Sequence, residues 1–243
     1  MGISYSHYSA LRKCGRYYKL SVVDKIPQEP NVNFEFGTAM HSGLYSELSG
    51  EDSDDAFIKA WQKSKWLDIK YQRHDWDTLG AMGLKFLSTF RKKYALNMKL
   101  IVAEKRLYAK LGEIEFEGTP DALVEWDSKN VLIDYKTSAY NYLFEKTPTS
   151  LQLYLYSFLL EQNGYKVDAI CYFVFNKGAT TVQTPVIFDI DKDIRNEMLH
   201  DMGVYLEKNL GDYSKNPLSC VSGSFVCPYI NECYKATKKE VIE

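Results

Sequence analysis

The order of periodic segments predicts an α/β fold, a mixed β-sheet core flanked by helices. Three observations carry that prediction. The N-terminal part, residues 1–98, repeats apolar residues at helical spacing, as in Leu79, Met82, Phe86, Phe90 and Tyr94. The middle changes to short β-branched and aromatic runs bounded by turn residues, such as Asp121–Trp126 and Val131–Lys136. After a further helix comes Ala169–Phe175, a nearly continuous apolar run that reads as a central strand. With 243 residues, 45% of them hydrophobic and 26% charged, the chain can bury a sizeable core within one domain.

Taken in order, Ser4 or Ser6 caps a first helix reaching about Lys19. Residues 38–48 and 54–66 read as short helices, the second opening on Asp54 and Asp55, and a longer helix covers 78–97. Leu100–Tyr108 reads as a strand with Ile114–Phe116 as its partner. Asp121–Trp126 and Val131–Lys136 form a hairpin around the turn Asp127–Asn130. Thr149 or Ser150 caps a helix that runs through Gln162 and stops at Gly164. Val182–Phe188 is a further strand, and Pro185 confines it to an edge because proline cannot donate to a ladder. Asp193–Leu210 is the last helix, ended before Gly211. The single domain 1–243 thus divides into a mainly helical part (1–98), a sheet core (99–190) and a C-terminal helix with a cysteine segment (191–243).

Charge and composition limit the partners. A net charge of −2 gives no global attraction to nucleic acid, so a polyanion site must be a local basic strip. Three strips qualify: Arg12, Lys13, Arg16 and Lys19; Arg91, Lys92 and Lys93; and Lys235, Lys238 and Lys239. Such runs also serve simply as solvated faces. Some of the nineteen tyrosines can stack on unpaired bases, while most suit the edge of the core. No apolar run approaches the roughly 18 residues of a membrane span, and no apolar signal-peptide core stands at the start, so a cytoplasmic protein is expected. Five cysteines in that compartment favour reduced thiols or metal ligation over disulfides.

The hairpin concentrates the chemistry. Antiparallel pairing brings Asp121 and Asp134 to the same end, and Asp134 and Lys136, two apart, project from one face. Two carboxylates and an ammonium so placed can hold a divalent cation and orient water for attack on a phosphodiester; the plainer reading is a solvated hairpin end. Glu104 in Ile101–Glu104 needs a partner: it is a metal ligand or outer-layer acid, or it forms a salt bridge with Lys105 or Lys136. Gln152 and Tyr156, four apart, share a helix face, and Tyr156 serves equally well as core. Cys171, inside the apolar strand, is a buried core thiol. The other four, Cys14, Cys220, Cys227 and Cys233, suit an iron–sulfur cluster or zinc.

Six segments in this order resemble the RecB-like and Cas4-like iron–sulfur exonuclease branch of the PD-(D/E)XK nuclease superfamily. They are Ser4–Cys14, Gly37-Thr-Ala-Met-His41, Gly118-Thr-Pro-Asp121, Asp134-Tyr-Lys136, Gln152-Leu-Tyr-Leu-Tyr156 and Cys227–Cys233. The resemblance implies a restriction-endonuclease-like core wrapped by terminal helices. It implies that His41, Asp121, Asp134 and the Tyr135 backbone carbonyl hold Mg²⁺ or Mn²⁺, the imidazole helping Mn²⁺ compete. Lys136 would stabilise developing charge and orient the water, with Gln152 and Tyr156 lining the channel. Cys14, Cys220, Cys227 and Cys233 would hold a [4Fe–4S] cluster joining the N- and C-terminal segments, with zinc as the alternative. The late cysteines depart from the family's spacing: Ser224 stands where the first of the trio is expected, and Cys220 reaches only if Val221–Ser224 bulges at Gly223. The implied activity is a metal-dependent DNA exonuclease acting at ends or on single strands, of a phage-recombination type. The alternatives are a DNA-processing subunit that works with a protein partner, and a non-cleaving DNA-end-binding module. The absence of a Gly-x-x-x-x-Gly-Lys-Ser/Thr helicase motif fits a stand-alone enzyme.

Overall fold

The helices begin where a polar side chain can cap them. In the computed structural model, which describes residues 2–69, 71, 74–222 and 225–234, Ser4 caps α1 (Tyr5–Lys13) by accepting from the His7 amide while the His7 ring accepts from the Ser4 amide. The helix does not continue to Lys19. It breaks at Cys14, whose backbone is extended, and α2 (Gly15–Tyr18) and a π turn (Lys19–Val23) follow. The break lets the chain pass close to the Asp212 carbonyl, where a Cβ on Gly15 would meet the oxygen at 2.2 Å. Asn31 caps α3 (Val32–Ser49), which is longer than the expected 38–48 and ends at left-handed Gly50. Asp52, not Asp54, starts α4 (Ser53–Gln62), and Asp75 starts α5 (Trp76–Lys93), which stops short of 97.

The chain forms two compact units, Pro30–Leu199 and Met1–Glu29 with His200–Glu243. The larger holds a mixed sheet in the order β1-β4-β5-β6-β7, with β8 also pairing with β6. Its strands are β1 (Met98–Ala103), β4 (Ala122–Trp126), β5 (Lys129–Ser138), β6 (Ala169–Asn176), β7 (Thr181–Val182) and β8 (Ile187–Asp189); β2 (Leu107–Leu111) and β3 (Ile114–Gly118) make a separate ribbon. Among the described residues only β5 and β6 run parallel, and their connection contains α6 (Leu151–Gln162), capped by Ser150.

Three expected strand boundaries are corrected. Leu100–Tyr108 is two strands, because Glu104 takes a left-handed φ of 49°; β1 joins the main sheet beside β4, and β2 alone pairs with β3. Val182–Phe188 is likewise two short strands, β7 and β8, with Pro185 between them, where it breaks the ladder. The hairpin turn is the pair Asp127 and Ser128, with φ of 49° and 63°, a twist that suits a two-residue hairpin and brings Trp126 opposite Lys129.

One face of the sheet, including Val131, Ile133, Phe173 and Phe175, packs on Phe36, Met40, Phe86 and Phe90 of α3 and α5. Cys171 belongs to this core, and burial pushes its thiol up to about 12. α6 contacts β2, β3 and β5.

In the smaller unit the chain's two ends are tied by hydrogen bonds. The Arg16 amide donates to the Ser214 carbonyl, and the side chains of Asn216 and Ser219 both donate to the Lys13 carbonyl. The unit also holds the paired strands β9 (Val221–Ser222) and β10 (Phe225–Val226) and the short α8 (Ile230–Tyr234); α7 spans Lys192–Asn209. Gly223, Ser224, Lys235, Lys238 and Lys239 lie outside the described residues. No helix among the described residues is long and apolar enough to cross a membrane.

Candidate functional site

The β4–β5 register, Ala122 opposite Ile133, carries Asp121 to the end of the hairpin beside Asp134. The join is tied by the Tyr135 amide, which donates to Asp121 Oδ2 at 2.7 Å. Asp134 is only 2% exposed. Its Oδ2 lies 2.7 Å from Lys136 Nζ, but at an angle that leaves this buried oxygen without a true hydrogen bond. The Lys136 ammonium donates to Gln152 Oε1 at 3.1 Å, and Gln152 Nε2 donates onward to the Tyr156 hydroxyl at 3.4 Å. The face shared by Asp134 and Lys136 therefore continues through α6, as the four-residue spacing of Gln152 and Tyr156 anticipates.

A third element arrives from α3. The apolar positions Phe36, Ala39, Met40, Gly43 and Leu44 turn one face of this helix into the core and leave His41 at its edge. His41 Nδ1 lies 3.3 Å from Asp121 Oδ1 and 3.8 Å from Glu104 Oε1. Glu104 is held there by its backbone: its amide donates to the Pro120 carbonyl at 3.1 Å, next to Asp121. The sequence left Glu104 open between a metal role and a lysine salt bridge; it faces His41 and Asp121. One ligand atom from each of His41, Glu104 and Asp121 lies within 4.8 Å of the others, the sole such group among the described residues. Ligands about 2.1 Å from a cation in octahedral array sit roughly 3 to 4 Å apart, so the spacing suits a divalent ion. Asp134 stands outside this trio, held toward Lys136. The Tyr135 carbonyl, between the two in sequence, belongs to β5, and the Tyr135 ring meets the His41 ring edge-on at 5.9 Å.

The charges explain the tension of the site. Burial, and then repulsion from Asp121, lift the Asp134 carboxyl to about 6 against the pull of Lys136. Burial would lower His41, but the facing carboxylates of Asp121 and Glu104 hold it up, to about 10. Burial pushes the Tyr156 hydroxyl up to about 12. The raised imidazole thus favours a positive charge between the Asp121 and Glu104 carboxylates, in addition to Lys136 beside Asp134.

A family model described as the PD-(D/E)XK nuclease superfamily matches residues 2–234. The chain belongs to this superfamily. A solved structure from Eubacterium rectale, named "Putative exonuclease", superposes with a TM-score of 0.62 at 13% identity, over 86% of this chain and 80% of that one. At that identity the likeness speaks for the fold alone. A second, SSO0001, reaches a TM-score of 0.33 at 15% identity over 81% of this chain and 84% of its own, which carries no argument. No curated protein sequence matches.

Two further features of this superfamily member bear on function. An open cavity of about 550 Å³ is lined by Phe34, Gly37, Thr38, His41, Ser42, Tyr45 and Glu104; Phe34 and Tyr45 were not singled out from sequence, although their seven- and four-residue offsets from His41 mark one helix stripe. In the smaller unit, Cys14, Cys220, Cys227 and Cys233 all line one small pocket. The Cys227 amide donates to the Cys220 carbonyl at 2.8 Å, and β9 pairs with β10 beyond it, so the longer spacing brings Cys220 opposite Cys227. The Asn216 amide donates to Cys14 Sγ at 3.3 Å. No three of these sulfurs lie within 4.8 Å of one another, whereas zinc–sulfur bonds of about 2.3 Å would place tetrahedral thiolates roughly 3.8 Å apart. The basic strips are partly spoken for: Arg91 pairs with Glu47 and Asp54, and Lys19 with Asp24.

Proposed function

We propose that this chain is a metal-dependent DNA exonuclease, hydrolysing phosphodiester bonds at DNA ends or on single strands, with residues 1–243 working as one nuclease domain. The observation that carries the reading is the meeting of His41, Glu104 and Asp121 within 4.8 Å, next to the Asp134–Lys136 pair. Membership of a nuclease superfamily and the name of the Eubacterium rectale neighbour support it.

His41, Asp121 and Asp134 hold Mg²⁺ or Mn²⁺, with Glu104 as a further ligand and the Tyr135 carbonyl as a backbone one. The bound ion supplies Lewis acidity and lowers the pKa of coordinated water. Lys136 faces the scissile phosphate, where its ammonium offsets the charge that develops on the phosphoryl oxygens. Gln152 fixes the direction of that ammonium, and Tyr156 braces Gln152. The four cysteines Cys14, Cys220, Cys227 and Cys233, which line one small pocket, would hold a [4Fe–4S] cluster, with zinc as the alternative. On this reading the chain would be an intracellular enzyme of DNA recombination or repair, of the RecB-like and Cas4-like branch that its six ordered segments resemble.

The test compares the native protein with Asp134→Ala on end-labelled linear and closed circular DNA, in Mg²⁺ or Mn²⁺. Loss of linear DNA by the native protein alone, with circles spared, is the expected result. Cutting of circles would make it an endonuclease. No cleavage by folded protein would sink the stand-alone enzyme and leave a DNA-processing subunit that needs a protein partner, or a non-cleaving DNA-end-binding module. Iron and zinc analysis of the purified protein decides the cysteine site.

A further inference from the structure

The stripe of α3 that carries His41 lies outside the buried core cluster. Phe34 is 72% exposed and Tyr45 39% exposed, yet both line the cavity that His41 and Glu104 open into. They lie seven residues before and four after His41, so all three project within a narrow sector of the helix. At about 1.5 Å per residue the rings stand roughly 10 Å to one side of the imidazole and 6 Å to the other. The floor between them is low: Gly37, Thr38 and Ser42 are small. A Cβ on Gly37 would meet nothing nearer than Thr137 Oγ1 at 3.9 Å, so glycine there is not demanded by packing and leaves the groove open.

We propose that Phe34 and Tyr45 form a base-stacking platform that lays an unpaired DNA strand along α3 and across the metal centre. This rests on the nuclease reading above and specifies its substrate: a strand with its bases unstacked from any partner. Two facts select that occupant. The groove is continuous with the candidate ligands His41 and Glu104, so whatever fills it lies against the reacting position. Its two large side chains are flat aromatic rings, which take the π-face of any base and need no particular sequence. A paired duplex would present no free base faces to them. Phe34 and Tyr45 are positioning residues: they touch the strand on either side of the centre and do no chemistry.

The experiment measures binding of a fluorescein-labelled single-stranded oligothymidylate, and of an abasic strand with the same number of phosphates, in EDTA. Native protein, Phe34→Ala, Tyr45→Ala and Phe34→Trp are compared, with thermal melts to show equal folding; cleavage of the oligothymidylate is then followed in Mn²⁺. Each alanine variant is expected to bind oligothymidylate about 5- to 150-fold more weakly, the range that one lost stacking contact gives. Its affinity for the abasic strand should match the native protein's, and Phe34→Trp should restore binding. Equal affinity and equal cleavage by native and alanine variants overturns the platform while leaving the nuclease intact. An equal loss on both strands also overturns it, because the effect is then not on bases. A native protein that neither binds nor cuts DNA overturns the platform and the nuclease reading together.

Discussion

Replacing Asp134 by Asn should stabilise the protein in EDTA while removing cleavage. The Asp134 carboxyl is raised from an ordinary 3.8 to about 6. A raised acid binds more protons in the folded than in the unfolded state between those two pH values, so stability falls as pH rises through that window and the full cost is present above about pH 6. A shift of about two units corresponds to roughly 3 kcal/mol. Asn cannot ionise and avoids that cost. It leaves the Lys136 ammonium without its partner, but Lys136 is partly exposed and keeps its bond to Gln152, which trims the gain only in part. The net expectation at pH 7.5 is about 1–3 kcal/mol, or roughly 2–10 °C in Tm for a chain of this size. Urea denaturation of both proteins at pH values from 4 to 8 reads it. The difference should grow between pH 4 and 6 and stay flat above. Mn²⁺ should then narrow it, because the native protein gains binding energy that the variant, short of a ligand, gains less of. An Asn variant less stable than native at pH 7.5, or a difference that does not change from pH 4 to 6, would refute the claim that Asp134 is held ionised against its surroundings.

Three other perturbations address neighbouring parts of the site. Lys136→Arg keeps the charge but replaces a compact donor by a longer fork, so cleavage should drop by about 10²-fold or more with stability nearly unchanged, as loss of one donor to developing charge does elsewhere; near-native rates would remove Lys136 from the chemistry. Glu104→Gln should weaken Mn²⁺ binding, read by titration calorimetry, by on the order of 10-fold or more, and an unchanged affinity would return Glu104 to a purely structural role. Gly118→Ala places a Cβ at 2.8 Å from both Leu159 and Tyr156 of α6, an overpacking that should cost about 1–3 kcal/mol and lower activity by shifting Tyr156 against Gln152; a melt unchanged from native would show that α6 yields freely.

How much of this was legible in the sequence depended on whether a residue's role is set by local periodicity. The hairpin was legible because period-2 alternation puts Asp134 and Lys136 on one face and antiparallel pairing across the turn brings Asp121 to the same end. The central strand β6 was legible from its apolar run, and the α6 cap only as Thr149 or Ser150, of which Ser150 is the cap. Glu104 was not, because its placement comes from a left-handed backbone and a bond to the Pro120 carbonyl, neither of which leaves a period; the signal present was an acid at the end of an apolar strand. The break at Cys14 was hidden for a similar reason: it answers to the Asp212 backbone, far away in sequence. Phe34 and Tyr45 were hidden because an aromatic stripe on a helix ordinarily faces the core, and only the structure shows these two rings facing out.

The same electrostatics links the fold to the function. A hairpin that buries Asp134 and brings Asp121 beside it makes ionisation of Asp134 costly: burial first, and then repulsion from Asp121, raise its carboxyl. The chain relieves part of that cost with its own cations, Lys136 on the α6 side and a protonated His41 on the α3 side. These two are not equivalent. Lys136 is fixed by its bond to Gln152, on the side of the site away from His41 and Glu104. His41 can give up its proton and become a neutral ligand through the same nitrogen that now faces Asp121 and Glu104. Its stabilising contribution is complete below about pH 6.5 and is lost as pH rises through about 10. On the proposed metal reading, the proton that holds these acids together near neutrality is the one a cation would displace from His41.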